Sequence, residues 1–339
     1  MNAQLQTIPQ PQTEPIKSQP QLNNPRWNPA LRIAFRFWMI YLGLYCLATQ
    51  FVARPTGSDF LPDLATLWPL RPVISWVGAH IFHVNASPSL FWGGASGTAD
   101  NMFGWVMTFC LLVIATAATV VWSLLDRSRE NYAGLHKWFR LFVRFVLAAQ
   151  MIIYGLTKIF PVQMPQPSLT RLLEPLGTLS PMGVLWSSMG SAPAYQTFTG
   201  CVELAGGLLL IVPGTTTTFG ALISLAAMIQ VFMLDMTYDV PAKRFAFHVI
   251  LLSCFLLAPN VPRLVRFLLL GRTTSLPTEA QLFRGIRANR IALAAQIIFG
   301  VCLVGLSGHF AWNAWNTRGG ARPRSPLYGI WEVKQMSID

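Results

Sequence analysis

Residues 103–125 read FGWVMTFCLLVIATAATVVWSLL, an apolar run without a single charged side chain. A helix needs about 20 consecutive apolar residues to cross the hydrocarbon core of a bilayer, so this stretch predicts a membrane-spanning helix. The composition of the whole chain agrees with that prediction. Of its 339 residues, 53% are hydrophobic and 11% are charged, whereas soluble domains carry roughly a quarter charged residues. The sequence therefore predicts an integral membrane protein.

Seven predominantly apolar runs predict an all-α membrane protein with about seven transmembrane helices. The predicted spans cover residues 33–53, 103–125, 140–160, 197–213, 217–235, 245–261 and 291–312. The fourth to sixth spans are predicted to be short, and Pro259 and Pro262 are expected to end the sixth early. We divide the chain into a disordered tail (1–30), N-terminal spans with a long loop (31–138), a four-helix core (139–270), a basic loop with the last span (271–313) and a second tail (314–339).

The formal net charge of +12 is distributed unevenly along the chain. Lys and Arg concentrate in the N-terminal tail, in the connection around residues 126–140 and in the connection around residues 262–290. With seven spans these three regions fall on one side, which the positive-inside rule assigns to the cytoplasm. The charge thus predicts a topology in the lipid bilayer rather than a nucleic-acid partner. The N-terminus is expected in the cytoplasm and the C-terminus outside it.

Two segments between predicted spans are apolar but interrupted by Gly and Pro. They cover residues 66–84 and 169–189, on the predicted outer side. Both are too broken to cross the membrane. Two interpretations stay open for them: amphipathic loops resting on lipid, or segments folded over the outer mouth of the helical bundle.

Ionisable and hydroxyl-bearing residues converge on the predicted outer ends of the third to sixth spans. The candidate site residues are Tyr154, Lys158, Glu203, Asp235, Tyr238, Asp239 and His248. An ionisable residue inside a membrane span is a functional-site hypothesis by default. Tyr154 lies four residues before Lys158, so the two are expected to share a helix face. Asp235 and Asp239 would share a face in the same way if their helix continues that far.

Lys158 and Glu203 are predicted to pair inside the bundle, because Glu203 is too short to reach water from its depth in the fourth span. The alternative for Lys158 is snorkelling, in which the ammonium group reaches the headgroups along the lipid-exposed stem. The alternative for Asp239 is an ordinary solvated turn. Gly206 and Gly207, which follow Glu203, are expected to let another helix approach closely.

Cofactor motifs do not emerge from the sequence. His80 and His83 are spaced for one helical face, but no third ligand has suitable spacing, so no metal site is predicted. The sequence likewise has no recognisable haem, flavin or iron–sulfur motif of its own.

The region from residue 140 to about residue 270 resembles the DoxX family of bacterial membrane proteins. The resemblance rests on RFVLAAQMIIYGLTKIFP (144–161), which contains a Gly155-x-x-Lys158 element, and on FTGCVELAGGLLLIVPG (198–214), which contains Glu203-x-x-Gly206-Gly207. It implies a four-helix membrane bundle in the bacterial inner membrane. Some members look like the membrane subunit of a thiosulfate:quinone oxidoreductase. The resemblance therefore implies quinone as the ligand and a separate redox protein as partner.

The resulting hypothesis is a membrane subunit of a quinone-linked redox system with a polar pocket in the outer leaflet. In it Tyr154 or Lys158 binds a quinone oxygen and Glu203 or Asp235 carries the proton. Lys158, Glu203 and Asp235 would be catalytic, while Tyr154, Tyr238, Asp239 and His248 would contact the substrate. Two alternatives stay open: a non-catalytic assembly or scaffold protein that recruits a partner, and a small proton-coupled transporter that uses the same charged cluster.

Overall fold

A computed structural model of the chain describes residues 26–53, 65, 67–87, 100–273, 281–332 and 334–336. Most of the predicted disordered tail lies outside the described residues. The described residues form only helices and connections: α1 (Pro29–Ala48), α2 (Gln50–Ala53), α3 (Leu70–His80), α4 (Met102–Leu125), α5 (Ala133–Ile159), α6 (Leu169–Leu173), α7 (Pro181–Ser191), α8 (Pro193–Ile211), α9 (Thr215–Thr237), α10 (Lys243–Leu257), α11 (Val261–Leu268) and α12 (Ile286–Thr317).

Seven helical segments in the described part of the chain are long and apolar enough to cross a membrane. They are α1, α4, α5, α8, α9, α10 continued by α11, and α12. The prediction of an all-α, multi-pass membrane protein with about seven spans is therefore confirmed.

The sixth span does not end where its prolines predicted. The chain continues from α10 through a 3-10 turn (Ala258–Asn260) into α11, so the helical segment Lys243–Leu268 is 26 residues long. Pro259 and Pro262 each lie in the first turn of a new helical element. Backbone N–H groups have no intrahelical acceptor there, so proline does not remove a hydrogen bond. The prediction of an early end was wrong for this reason.

Helices α5, α8, α9 and α10 form the central bundle. Helix α5 packs most extensively against α8, α8 packs against α9, and α9 packs against α10, which returns to α5. Helices α1 and α4 pair beside this core, and α12 packs against α5 and α8. Helix α5 is the most deeply buried of the candidate spans. It therefore serves as the central element against which the site is built.

Two glycines allow α5 and α8 to cross in contact. A Cβ atom on Gly200 would lie 2.6 Å from the carbonyl oxygen of Gly155, and a Cβ on Gly155 would lie 2.8 Å from the carbonyl oxygen of Gly200. No side chain fits at such distances, so the backbones meet directly. Further along α8, a Cβ on Gly207 would lie 2.7 Å from Ile152 of α5, and one on Gly206 would contact α9. The predicted close approach at Gly206 and Gly207 is confirmed.

At the end of the bundle where α5 begins, a hydrogen-bonded cluster joins α1 to the connection between α4 and α5. Arg36 donates to Ser123 Oγ (2.8 Å), to the carbonyl oxygen of Asp126 (2.7 Å) and to the hydroxyl of Tyr132 (2.9 Å). The Tyr132 hydroxyl in turn donates to the Asp126 carboxylate at 2.8 Å. This last hydrogen bond lowers the pKa of the Asp126 carboxyl, because it favours the ionised form.

The two interrupted apolar segments form short helices. Helix α3 packs against α4, and α7 packs against α8. Each has 11 residues and is therefore about 16 Å long, too short to cross a hydrocarbon core of about 30 Å. The prediction that neither segment spans the membrane is confirmed.

Candidate functional site

Lys158 and Glu203 form a buried ion pair between the last turn of α5 and the middle of α8. The Lys158 ammonium donates to Oε1 of Glu203, and the two side chains are only 7% and 3% exposed. The glycine crossing positions this pair, since a Cβ on Gly200 would lie 2.8 Å from the Cβ of Lys158. The predicted pair is confirmed, and snorkelling of Lys158 is not what the structure shows.

A cavity of about 220 Å³ lies beside this pair, enclosed by α5, α7, α8, α9 and the start of α10. Tyr154 and Lys158 line it from α5, Glu203 from α8 and Asp235 from α9. Asp235 is 4% exposed. Four of the seven predicted site residues thus meet around one cavity, and the predicted shared face of Tyr154 and Lys158 is confirmed.

Helix α7 closes this cavity with apolar side chains. The lining residues from α7 are Met182, Leu185, Trp186 and Met189. Leu185 and Met189 are buried, in a cluster with Met164 and Val240. Of the two interpretations of segment 169–189, the structure supports the one in which it folds over the bundle. Methionine side chains adapt to irregular shapes, so this wall suits an apolar ligand surface.

Three buried oxygen atoms around the cavity lack a hydrogen-bond partner in the described part of the chain. They are Oε1 of Gln163, Oε2 of Glu203 and Oδ2 of Asp235. Buried polar atoms in folded proteins are nearly always hydrogen-bonded, so each such atom calls for an explanation. All three are acceptors. The cavity is therefore suited to a ligand that donates hydrogen bonds.

Asp239 and Tyr238 lie outside the cavity. Helix α9 ends at Thr237, so it does not continue as far as Asp239, and the condition for a face shared with Asp235 is not met. Asp239 is exposed and accepts a hydrogen bond from Lys243 Nζ at 2.7 Å. This geometry is the solvated turn that was the alternative interpretation. Tyr238 is half-buried against the apolar cluster beneath α7.

His248 faces the N-terminal helices instead of the cavity. Its Nε2 atom is 2.7 Å from the hydroxyl of Tyr41, and its Nδ1 atom is 2.6 Å from the carbonyl oxygen of Arg244. Its ring stacks on Tyr45, with centroids 3.4 Å apart. The side chain is buried and both ring nitrogens have partners. In this arrangement His248 joins α10 to α1 and does not reach a ligand in the cavity.

Gln230 is a cavity residue that the sequence analysis missed. It lies on α9, lines the cavity, and is also exposed on the outside of the bundle. A single amide in the otherwise apolar run AAMIQVFML (226–234) was the available signal. A polar side chain that is exposed within a membrane-spanning helix marks the place where the cavity reaches the bundle surface.

Among the described residues, no three His, Cys, Asp or Glu side chains come together as metal ligands. No protein-family model, curated protein sequence or solved structure matches this chain. The function is therefore argued from the geometry of the site.

Proposed function

We propose that this multi-pass membrane protein is a DoxX-like membrane subunit of a quinone-linked redox system, and that its cavity holds the quinone head group. The observation that carries the proposal is the convergence of Lys158, Glu203 and Asp235 on one cavity inside the central helical bundle. Apolar pockets with a few convergent polar groups are typical ligand sites. Ionisable groups within a membrane bundle mark ligand or proton pathways.

The size of the cavity fits one ring rather than a whole lipid. Its volume of about 220 Å³ is below the roughly 300–1,000 Å³ of sites for drug-sized ligands. A quinone would place its ring in the cavity and leave its isoprenoid tail outside. Gln230, which lines the cavity and is exposed on the bundle surface, marks the exit for the tail into the bilayer.

Both redox forms of the ring find matching groups. An ammonium group has three donors, and Lys158 gives one to Glu203, so others are available to a quinone oxygen. A quinol instead presents two hydroxyl donors, which match the acceptor oxygens of Glu203 and Asp235. Hydrogen bonds to ionised acceptors are about twice as strong as neutral ones. We therefore expect the quinol to bind more tightly than the quinone.

The reaction assigned to the site is the reduction of quinone to quinol. It takes two electrons, which a separate redox protein supplies, and two protons, which pass to the two ring oxygens through Asp235 and Glu203. Each carboxylate takes up one proton from water at the same membrane face and passes it to the ring, so both carboxylates are ionised again once the quinol has formed. In this scheme Lys158 holds the oxygen on which negative charge develops, and Tyr154 completes the polar wall.

The two motifs behind the DoxX resemblance lie against each other in the structure. Gly155 of the first motif contacts α8 at the crossing, Lys158 pairs with Glu203 of the second motif, and Gly207 packs against Ile152. The motif positions are thus the ones that hold α5 and α8 together and build the ion pair.

Quinol binding to the purified protein tests the proposal. Lipid extraction should release a copurifying quinone, and a short-chain quinol titrated into the delipidated protein should bind. We expect Asp235→Asn to weaken quinol binding about tenfold, because the substitution replaces one buried acceptor oxygen with an N–H donor. Asp239→Asn is the matched control and should bind like the wild type. Absence of a bound quinone, or equal losses in both variants, would overturn the proposal.

The same purification distinguishes the two alternative functions. A soluble partner that copurifies in stoichiometric amount without quinone would indicate an assembly protein. Solute uptake into proteoliposomes that is driven by a pH gradient would indicate a transporter.

The proposed location is the bacterial inner membrane, with the N-terminus in the cytoplasm and the cavity in the outer leaflet. The basic connections before α5 and before α12 support this orientation. A phosphatase fused after Asp339 should be active, and a cytoplasmic fluorescent reporter fused there should be silent. The reverse result would place the cavity at the cytoplasmic face.

A further inference from the structure

A second and larger cavity lies at the end of the bundle where α5 begins, away from the cavity beside Lys158 and Glu203. The charged residues described in its lining are basic. Its volume is about 520 Å³, and it is enclosed by α5, the start of α9, the turn between α10 and α11, and α12. Among the described lining residues, those that carry charge are Lys137, Arg140, Arg144 and Arg263. Three of them follow each other on α5 at spacings of three and four, which places them on one helix face.

Arg144 forms the inner end of this basic face. It is 3% exposed, and its guanidinium donates to Oε1 of Gln296 on α12. It lies 11 residues into α5, about 16 Å along the helix axis. Sequence analysis missed Arg144, although it follows Arg140 by four residues inside the predicted third span. An arginine at this depth in a membrane span is a functional-site hypothesis by default.

The other described residues of the lining are neutral, and a helix terminus lies among them. Lys137 donates to the carbonyl oxygens of Gln281 (2.9 Å) and Leu282 (2.7 Å), which carry no charge that could balance its own. Helix α9 begins at the cavity, and its first turn has no side-chain cap. The N-terminus of a 23-residue helix carries partial positive charge and unpaired N–H groups, which favour an anion.

We propose that this cavity binds a phosphate group, carried by an anionic membrane lipid or present as free phosphate. Arginine pairs with phosphate through two parallel hydrogen bonds, and basic pockets between membrane helices bind lipid headgroups. The volume is larger than one phosphate ion needs and lies within the range of small-molecule sites. Leu141 and Leu293 add an apolar border, and Leu293 is exposed on the bundle surface, where an acyl chain would lie.

Native mass spectrometry of the full-length protein in detergent tests the site with defined probes. Phosphatidylglycerol, phosphatidylcholine and inorganic phosphate are titrated separately. Wild type should bind phosphatidylglycerol more tightly than phosphatidylcholine. Arg263→Gln should weaken that binding roughly fivefold, the effect of one cation near an anionic lipid. Arg266→Gln is the matched control, because Arg266 is exposed on the same helix α11 but is not among the described lining residues.

Competition between the bound lipid and inorganic phosphate distinguishes the two sources of the phosphate group. Displacement of the lipid by millimolar inorganic phosphate supports a site for free phosphate, and resistance to it supports a lipid headgroup. Equal binding of both lipids without binding of inorganic phosphate, or equal losses in Arg263→Gln and Arg266→Gln, would overturn the proposal.

Discussion

Two lysine–carboxylate pairs at the same end of the bundle share their chemistry but differ in burial. Lys158 and Glu203 come from two helices, and their side chains are 7% and 3% exposed. Lys243 and Asp239 are four residues apart at the turn between α9 and α10, with side chains 21% and 84% exposed. The pairs have the same charges and comparable hydrogen bonds. Only their access to solvent and their separation along the chain distinguish them.

This difference decides what each pair contributes. A buried ion pair has lost the hydration of both charges, so the loss of one partner leaves a charge without compensation. An exposed pair keeps most of its hydration, and water replaces either partner at little cost. We therefore expect the bundle to depend on Lys158 and Glu203 and to tolerate changes at Lys243 and Asp239. The sequence distinguishes the two cases only by position, since Glu203 lies inside its predicted span and Asp239 lies beyond the end of one.

Breaking the buried pair is the strongest test of the comparison. Lys158→Met and Glu203→Gln should each lower the free energy of unfolding by about 3–5 kcal/mol, because each leaves one buried charge unpaired. The double variant should lose less than the two single losses added together, since it removes both charges. Thermal unfolding in detergent, followed by circular dichroism or by retention of a monodisperse peak, measures these differences.

The exposed pair supplies the control for this double-mutant cycle of Lys158 and Glu203. Lys243→Met, Asp239→Asn and their combination undergo the same chemical changes, and their losses should simply add. An additive cycle at Lys158 and Glu203 would mean that the two residues do not interact energetically. Stable single variants that lose quinol binding would instead assign the buried pair to ligand binding rather than to stability.

Separating the two helices that carry the buried pair should have a smaller effect. Gly200→Val adds a side chain where a Cβ would lie 2.6 Å from a backbone oxygen and 2.8 Å from the Cβ of Lys158. Overpacking of this kind costs about 1–3 kcal/mol. The variant should also weaken quinol binding, because the glycine crossing positions the ion pair beside the cavity.

A glycine outside the helix crossing distinguishes this effect from a general change in helix propensity. Gly305 lies in α12, and a Cβ there would contact nothing within 4 Å. Gly305→Val should therefore leave both the unfolding temperature and quinol binding close to wild type. Similar losses in the two valine variants would show that the α5–α8 crossing does not control the site.

The fold could be predicted from the sequence to the extent that hydropathy determines it. Apolar runs located all seven spans, because length and composition alone allow a helix to cross a bilayer. The helix ends were less predictable. Helix α5 begins at Ala133, several residues before the predicted span, because a helix can continue beyond the apolar region on residues that face water. The prolines after α10 misled the prediction because proline is compatible with the first turn of a helix.

The sequence predicted how far along the helices the site residues lie, but not in which direction their side chains point. The positions of Lys158 and Glu203 along their spans gave their level in the bundle, and the short side chain of Glu203 required a nearby partner. The same reasoning placed His248 at the right level, but the structure turns it toward Tyr41. The direction of a side chain around the helix axis depends on helix packing, which one sequence does not determine. Gln230 and Arg144 differ from His248, because each was visible in the sequence as a polar residue inside a predicted span.

Breaking the exposed pair at Asp239 should have the smallest effect on the free energy of unfolding. Asp239→Asn removes the carboxylate charge beside Lys243, whose ammonium also donates to the carbonyl oxygen of Val240 at 3.1 Å. The remaining donors of Lys243 can bind water, so the loss should stay below about 1 kcal/mol. Salt should reduce even this loss, since exposed charges are screened over about 8 Å at physiological ionic strength. Thermal unfolding of wild type and Asp239→Asn at low and high salt measures both effects. A loss as large as that of Glu203→Gln, unchanged by salt, would mean that the turn between α9 and α10 is as shielded from water as the α5–α8 crossing, and the contrast between the two pairs would fail.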